Sequence, residues 1–235
     1  MAAEVPAAGG PPPGPPEAAD VFGGALDLAR RYAELLATDG VTRGLIGPRE
    51  TERLWDRHLL NCAVVAEFLP ERGVLVDIGS GAGLPGVVFA MLRPSLEVVL
   101  LEPLLRRSVF LEECVTQLGL SNATVLRARA EEKAAAHIRA DVATARAVAP
   151  LDRLAGWAAR LLRPGGELLA IKGQSAEEEI AAARPVLSRL GVRSTEVLQA
   201  RHGRVVNATT VVRVVMRGHG REERAGAQRS RRGVA

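Results

Sequence analysis

Residues 76–86 read VDIGSGAGLPG, an apolar run that passes into four glycines, with Pro85 placed to open a following helix. Glycines at such a junction let the chain turn sharply and leave no side chain between the backbone and a ligand. Gly81, Gly83 and Gly86 satisfy GxGxxG, the pattern in which a dinucleotide pyrophosphate rests on a helix N-terminus. The match is short and decides nothing without its surroundings.

Working outward from that loop, short apolar runs at residues 74–78, 98–101, 124–126, 142–144 and 168–171 alternate with helical stretches. Strands alternating with helices imply right-handed βαβ crossovers and a parallel sheet covered on both faces. The rhythm breaks at the end of the chain. There 193–198 and 209–216 are β-rich with only a polar stretch between them, which predicts a hairpin with one strand antiparallel to the rest. The expected fold is therefore α/β, a doubly wound sheet of seven strands ending in an antiparallel hairpin. Two amphipathic helices precede it, at 22–38 and 51–68, carrying Leu26, Ala29, Tyr32, Ala33 and Leu36, then Leu54, Trp55, His58, Leu59, Cys62 and Val65.

The ends differ in composition. Residues 1–20 are rich in Pro, Ala and Gly without apolar periodicity and are expected to lie outside the fold as a disordered tail. The domain is placed at 21–217, followed by a basic, disordered tail at 218–235. From residue 217 onward six arginines against two glutamates account for the whole net charge of +4 among the 235 residues, so residues 1–216 are formally neutral. Overall charge gives no argument for nucleic-acid binding, which requires a local basic surface or the tail as an electrostatic tether.

No uninterrupted apolar run approaches the roughly 20 residues of a membrane span. The N-terminus has neither the basic opening nor the Leu-rich stretch of an export signal. Cys62 and Cys114 are too few for a disulfide framework, and no spacing suggests a metal site. A cytoplasmic protein with reduced thiols, no membrane contact and no metal is expected. The sequence does not set its oligomeric state, and a monomer is favoured.

At the glycine loop Asp77 favours a methyl donor over a dinucleotide, while Glu102 supports a nucleoside of either kind. Asp77, two residues before Gly79, would repel a pyrophosphate but accept hydrogen bonds through groups ordered near a cationic amino-acid moiety. Glu102 ends the second strand, where a carboxylate accepts both ribose hydroxyls of an adenosine. Otherwise Asp77 is a turn acceptor and Glu102 a charge at a helix N-terminus. At 161–173, LLRPGGELLAIKG ends a helix, turns at Pro164-Gly165-Gly166 and enters a strong strand. With the hairpin, this arrangement resembles class I (Rossmann-like) methyltransferases more than dehydrogenases.

Together with WDRHLLN at 55–61, RARAEE at 127–132 and TARAVAPLDRL at 144–154, these segments resemble the bacterial small-subunit ribosomal RNA guanine-N7 methyltransferase family, RsmG or GidB, from about residue 26 to 216. Members of that family usually carry Asp where Asn61 stands and Ser where Pro103 stands. The resemblance implies S-adenosyl-L-methionine as cofactor and 16S ribosomal RNA or the 30S subunit as partner. It places the cofactor against Gly79, Leu84, Ala130, Glu131 and Arg146, with Asp77, Gly81, Gly83 and Glu102 joining them from the local argument. Glu131 with Glu132 also reads as an acid pair at a helix N-terminus. Arg146 interrupts a buried strand end, where a guanidinium needs a partner: the cofactor carboxylate, an RNA phosphate or an internal ion pair.

Lys172 is one of two lysines beside 29 arginines and either meets phosphate or base or caps its strand. His58 reads as a packed, hydrogen-bonded histidine. Attack by guanine N7 uses a neutral lone pair, so no catalytic base is expected; Arg146 and Lys172 are positioning candidates. Arg106, Arg107, Lys172, Arg201 and Arg204 are candidate RNA contacts. Tyr32, Trp55 and Trp157 fall at core-like helix positions, leaving any base stacking to an arginine or an apolar side chain.

Overall fold

The computed structural model describes residues 11, 13–203 and 208–218. Its centre is a seven-stranded sheet in the order β3-β2-β1-β4-β5-β7-β6, with β1 Gly73–Ile78, β2 Leu96–Leu101, β3 Ala123–Leu126, β4 Ala140–Arg146, β5 Leu162–Lys172, β6 Val192–Ala200 and β7 Thr209–Met216. The first five pair in parallel, and β7 runs antiparallel between β5 and β6. The expected hairpin is present, with Ala200 and Thr209 paired beside the end of β5.

Two apolar cores lie on opposite faces of this sheet. One takes α2 (Leu26–Leu35), α4 (Gly86–Leu92) and α5 (Leu105–Leu118); the other takes α6 (Leu151–Leu161) and α7 (Ala176–Arg189). Leu75 and Val98 point to the first core and Val76 to the second, the alternation a strand covered on both faces requires. Cys62 and Cys114 are buried and unpaired, and burial pushes their thiols up to about 11 and about 12. They remain protonated core residues.

Three local features depart from the expectations. The ordered chain reaches further toward the N-terminus than residue 21, because α1 spans Glu17–Phe22 and buries Ala18 and Phe22 four residues apart; Phe22 meets Trp55 edge to face at 6.2 Å. The second pre-sheet helix is not a regular α-helix. It runs as a 3₁₀ turn over Pro48–Arg53, a π-wound stretch over Leu54–Leu60, the short α3 over Asn61–Ala63 and a 3₁₀ turn over Val64–Phe68. In π winding, residues about five apart come near one face, and the pairs Leu54/Leu59 and Trp55/Leu60 are all buried.

The third difference concerns Pro164-Gly165-Gly166, expected as a turn ahead of a strand and found inside β5. Ala140 pairs with Leu162 and Val142 with Glu167, so the chain bulges between them. Gly165 has φ +79, and a Cβ on Gly166 would stand 3.0 Å from Asp141 O, so glycine is required at both points. Arg163 Nε, 2.5 Å from Asp141 Oδ1, fastens the bulge to β4. Among the described residues no helix is long and apolar enough to cross a membrane. Most of the basic tail, residues 219–235, and Arg204 of the hairpin lie outside the described residues.

Candidate functional site

Parallel strands collect ligands at their carboxyl ends, where the following loops diverge. Here the loop after β1 turns through Gly79 (φ +69), Gly81 (φ +60) and Gly83 (φ +99) before α4 begins. The glycines serve different ends. A Cβ on Gly81 would touch only Gly79 O, at 3.8 Å, so that side of the loop is open. A Cβ on Gly83 would stand 2.6 Å from the Tyr32 hydroxyl and 2.5 Å from Val87 Cγ2, so Gly83 is required for packing. Tyr32, fully buried on α2, donates its hydroxyl to Ala82 O at 2.7 Å and ties the helical cap to the loop.

Both acidic residues chosen from the sequence are buried and brace this loop from different sides. Asp77 lies beneath it, 1% exposed, with Oδ2 accepting the Gly86 amide at 3.0 Å. Burial pushes its carboxyl up to about 7 against the pull of the Gly86 amide, the nearby Ser80 hydroxyl and Arg146. Glu102, 2% exposed, accepts the Gly81 amide on Oε2 and the Leu104 amide on Oε1, both at 2.9 Å. It joins the glycine loop to the entrance of α5, where Arg107 lies 3.9 Å from Oε2.

Three cavities open along this edge. A loop cavity of about 850 Å³ is bordered by Gly79, Gly81, Leu84, Glu102, His58 and Arg146. A smaller one of about 150 Å³ continues from it between Ile78, Pro103, Ala130, Glu131, Val148 and Trp157. A third, of about 610 Å³, lies beyond the ends of β4 and β5, with Asn61, Arg146, Pro150, Lys172, Gly173 and Glu179 on its walls. Val148 borders all three, and Arg146 and Ala147 border both large ones. Ala147 is held at φ +55, a left-handed conformation that costs a residue with a Cβ about 1 kcal/mol or more.

Most of the anticipated residues thus converge on one edge: Gly79, Gly81, Leu84, Glu102, Ala130, Glu131, Arg146 and Arg107 border the loop and small cavities, and Lys172 the third. Asp77 and Gly83 stand behind the loop instead of lining a cavity. Arg106 is exposed beside Arg107, and Arg201 follows β6 at the hairpin turn, its amide 3.0 Å from Glu67 Oε1. Lys172 Nζ is engaged by Glu179 Oε2 at 2.6 Å and Ala149 O at 2.9 Å.

Several wall residues were not anticipated. Trp157, read from helical spacing as core, is half-buried on the small cavity, donating its indole N–H to Glu131 beneath the Arg153 guanidinium. Ala147 and Val148 carry no chemical signal, and backbone geometry alone brings them to the junction. Glu50 arrives through the 3₁₀ turn before His58, which it contacts at 3.0 Å. Among the described residues no cluster of His, Cys, Asp and Glu has the form of a metal site.

The geometry agrees with comparison to known proteins. A solved S-adenosylmethionine-dependent O-methyltransferase of Thermotoga maritima superposes with a TM-score of 0.54 at 15% identity, over 68% of this chain and 66% of that one, a likeness of fold. Ribosomal RNA small subunit methyltransferase G of Thermobifida fusca is 59% identical across 85% of this chain and 84% of its own length. Its counterpart in Streptomyces coelicolor is 58% identical across 86% and 85%. Residues 25–207 match the GidB family, rRNA small subunit methyltransferase G, and with this fold and these relatives the chain belongs to that family.

Proposed function

We propose that this chain transfers the methyl group of S-adenosyl-L-methionine to N7 of a guanine in 16S ribosomal RNA, presented as free RNA or within the 30S subunit. The observation that carries the reading is the junction of the two large cavities at Arg146, Ala147 and Val148, where a donor over the glycine loop faces an acceptor at the ends of β4 and β5. From that work on ribosomal RNA we infer a cytoplasmic protein.

The residues present fit the cofactor. The small cavity has apolar walls for a purine, Glu131 and the Ala130 backbone for its edge, and Trp157 beside it. Each Glu102 oxygen takes one amide and keeps a second lone pair for a ribose hydroxyl. Gly79, Gly81, Leu84 and Arg146 remain for the amino-acid end. Asp77 supplies a buried acceptor oxygen beneath the loop, where a nearby cation favours its ionised form. Bound there, the cofactor supplies a methyl carbon activated by its sulfonium.

The protein's own contribution is alignment. The N7 lone pair forms the new N–C bond as the C–S bond breaks, and no proton leaves the base, so the site needs no general base. Positive charge moves onto the guanine, and the Ala149 carbonyl and Glu179 carboxylate offset the Lys172 ammonium, a fixed cation on the wall of the cavity beyond β4 and β5. N7 is hidden in the major groove of A-form RNA, so the target must be looped or extruded. The exposed Leu104, Leu105, Val109 and Val148 gather at or beside the loop-cavity mouth, next to Arg106 and Arg107, and suit unstacked bases with flanking phosphates. Arg201, which follows β6 at the opposite edge of the sheet, is a further candidate phosphate contact.

The test is transfer of labelled methyl from S-adenosyl-L-methionine to 30S subunits and to 16S RNA from cells lacking this methylation, with the label located by nuclease digestion and mass spectrometry. Label on guanine N7 is the expected result. Binding of S-adenosyl-L-methionine without transfer to either RNA form sinks the acceptor assignment and leaves the donor assignment standing.

A further inference from the structure

Arg146 stands between the two large cavities, yet its guanidinium is not free to swing between them. One terminal nitrogen donates to the Arg57 carbonyl at 3.1 Å, and the other lies 2.9 Å from His58 Nδ1. A guanidinium has only donors, so Nδ1 must accept and the ring proton must sit on Nε2. Nε2 in turn lies 3.0 Å from Glu50 Oε2, a group that can only accept when ionised. The neutral Nε2–H tautomer is therefore the state of His58 that satisfies both neighbours.

The charged groups facing the ring are Arg146 from the end of β4, Glu50 from the preceding 3₁₀ turn and Arg57 from the ring's own π-wound stretch. Arg57 also pairs with Glu50 Oε1 at 3.0 Å. Burial and Arg146 hold the imidazole below the usual histidine value, with Glu50 opposing them. An imidazolium would turn a second N–H toward the guanidinium, setting two cationic donors face to face in a half-buried site.

We propose that His58, oriented by Glu50, is a positioning residue that holds Arg146 on the methyl-donor cavity, and that protonating His58 releases Arg146 and weakens donor binding. This rests on reading that cavity as the donor seat. The hydrogen bonds occupy two of the five guanidinium N–H groups and leave three for the cavities.

The experiment measures S-adenosyl-L-methionine binding by calorimetry from about pH 5 to about pH 8 for the wild type, His58→Asn, His58→Gln, Glu50→Gln and Arg146→Met. Asn places its amide oxygen where Nδ1 stood, and Gln places its amide where Nε2 stood. His58→Asn should bind within about threefold of wild type near neutral pH, and His58→Gln about tenfold more weakly. Asp77 also titrates in this range, so the histidine's part is the acid-side loss present in wild type and absent from His58→Asn. Glu50→Gln should move that loss to lower pH, since the carboxylate favouring the imidazolium is gone. Equal affinities for the Asn and Gln variants, or superimposable pH curves for wild type and His58→Asn, overturn the proposal. Unchanged binding by Arg146→Met instead removes Arg146 from the donor seat.

Discussion

Asp77 accepts a 3.0 Å hydrogen bond from the Gly86 amide on Oδ2, while its other oxygen, Oδ1, is buried with no hydrogen-bond partner among the described residues. The bond anchors the start of α4, and the orphaned oxygen makes the ionised form costly. With its pKa raised to about 7 from 3.8, Asp77 favours the folded state most at low pH, and that contribution is lost as pH rises through about 7. Asp77→Asn removes this dependence. Urea denaturation should show the stability of wild type relative to the variant falling between about pH 4 and about pH 7, by up to about 4 kcal/mol. A constant difference across that range would show that Asp77 titrates normally.

Glu102→Ala leaves the amides of Gly81 and Leu104 without their acceptor. Each of these part-buried bonds contributes about 1 kcal/mol. The variant should melt several degrees lower and bind S-adenosyl-L-methionine at least about tenfold more weakly, read by thermal denaturation and calorimetry. Normal binding with lowered stability would reduce Glu102 to a brace for the loop.

Lys172→Met tests the division between donor and acceptor cavities. The ammonium borders only the cavity beyond β4 and β5 and is fixed by Glu179 and Ala149. Donor affinity should stay within about twofold, while kcat/KM for RNA falls by about tenfold or more. A parallel loss of both would mean that Lys172 supports the whole strand edge.

Gly83→Ala should destabilise the protein by about 2 kcal/mol or more, since the added methyl meets the Tyr32 hydroxyl and Val87 in a backbone held at φ +99. Tyr32→Phe should cost about 1 kcal/mol by removing the bond to Ala82 O. Tyr32→Phe also removes the oxygen nearest the new methyl, so the double variant should lose less than the two single effects combined. Strict additivity in urea denaturation would count against the crowding.

The βαβ rhythm, the hairpin and the glycine turn were legible because each leaves a periodic or compositional trace, down to the bounds of the last strand at Thr209 and Met216. The bulge in β5 was not, since Pro164-Gly165-Gly166 has the composition of a turn and only pairing with Ala140 and Val142 distinguishes the two. The π winding around His58 was likewise hidden, because burial of residues five apart arises from packing against Tyr32's helix and the sheet. Of the charged residues that border the cavities, Glu102 could be named from its position at a strand end, and Glu131 and Arg146 through the resemblance. The joining wall of Ala147 and Val148 could not, as neither side chain reacts or ionises.

Thr209, the first residue of β7, accepts a hydrogen bond from the Asn61 side chain at 2.8 Å and returns one to the Asn61 carbonyl at 2.9 Å. Asn61 lines the cavity beyond β4 and β5, so one wall of that cavity is fastened to a segment 148 residues further along the chain. Strand β6 reaches the sheet only through β7, which inserts between it and β5. A chain made only as far as residue 190 lacks both strands. Asn61 then has no partner at position 209, and the cavity wall it forms is left unfastened.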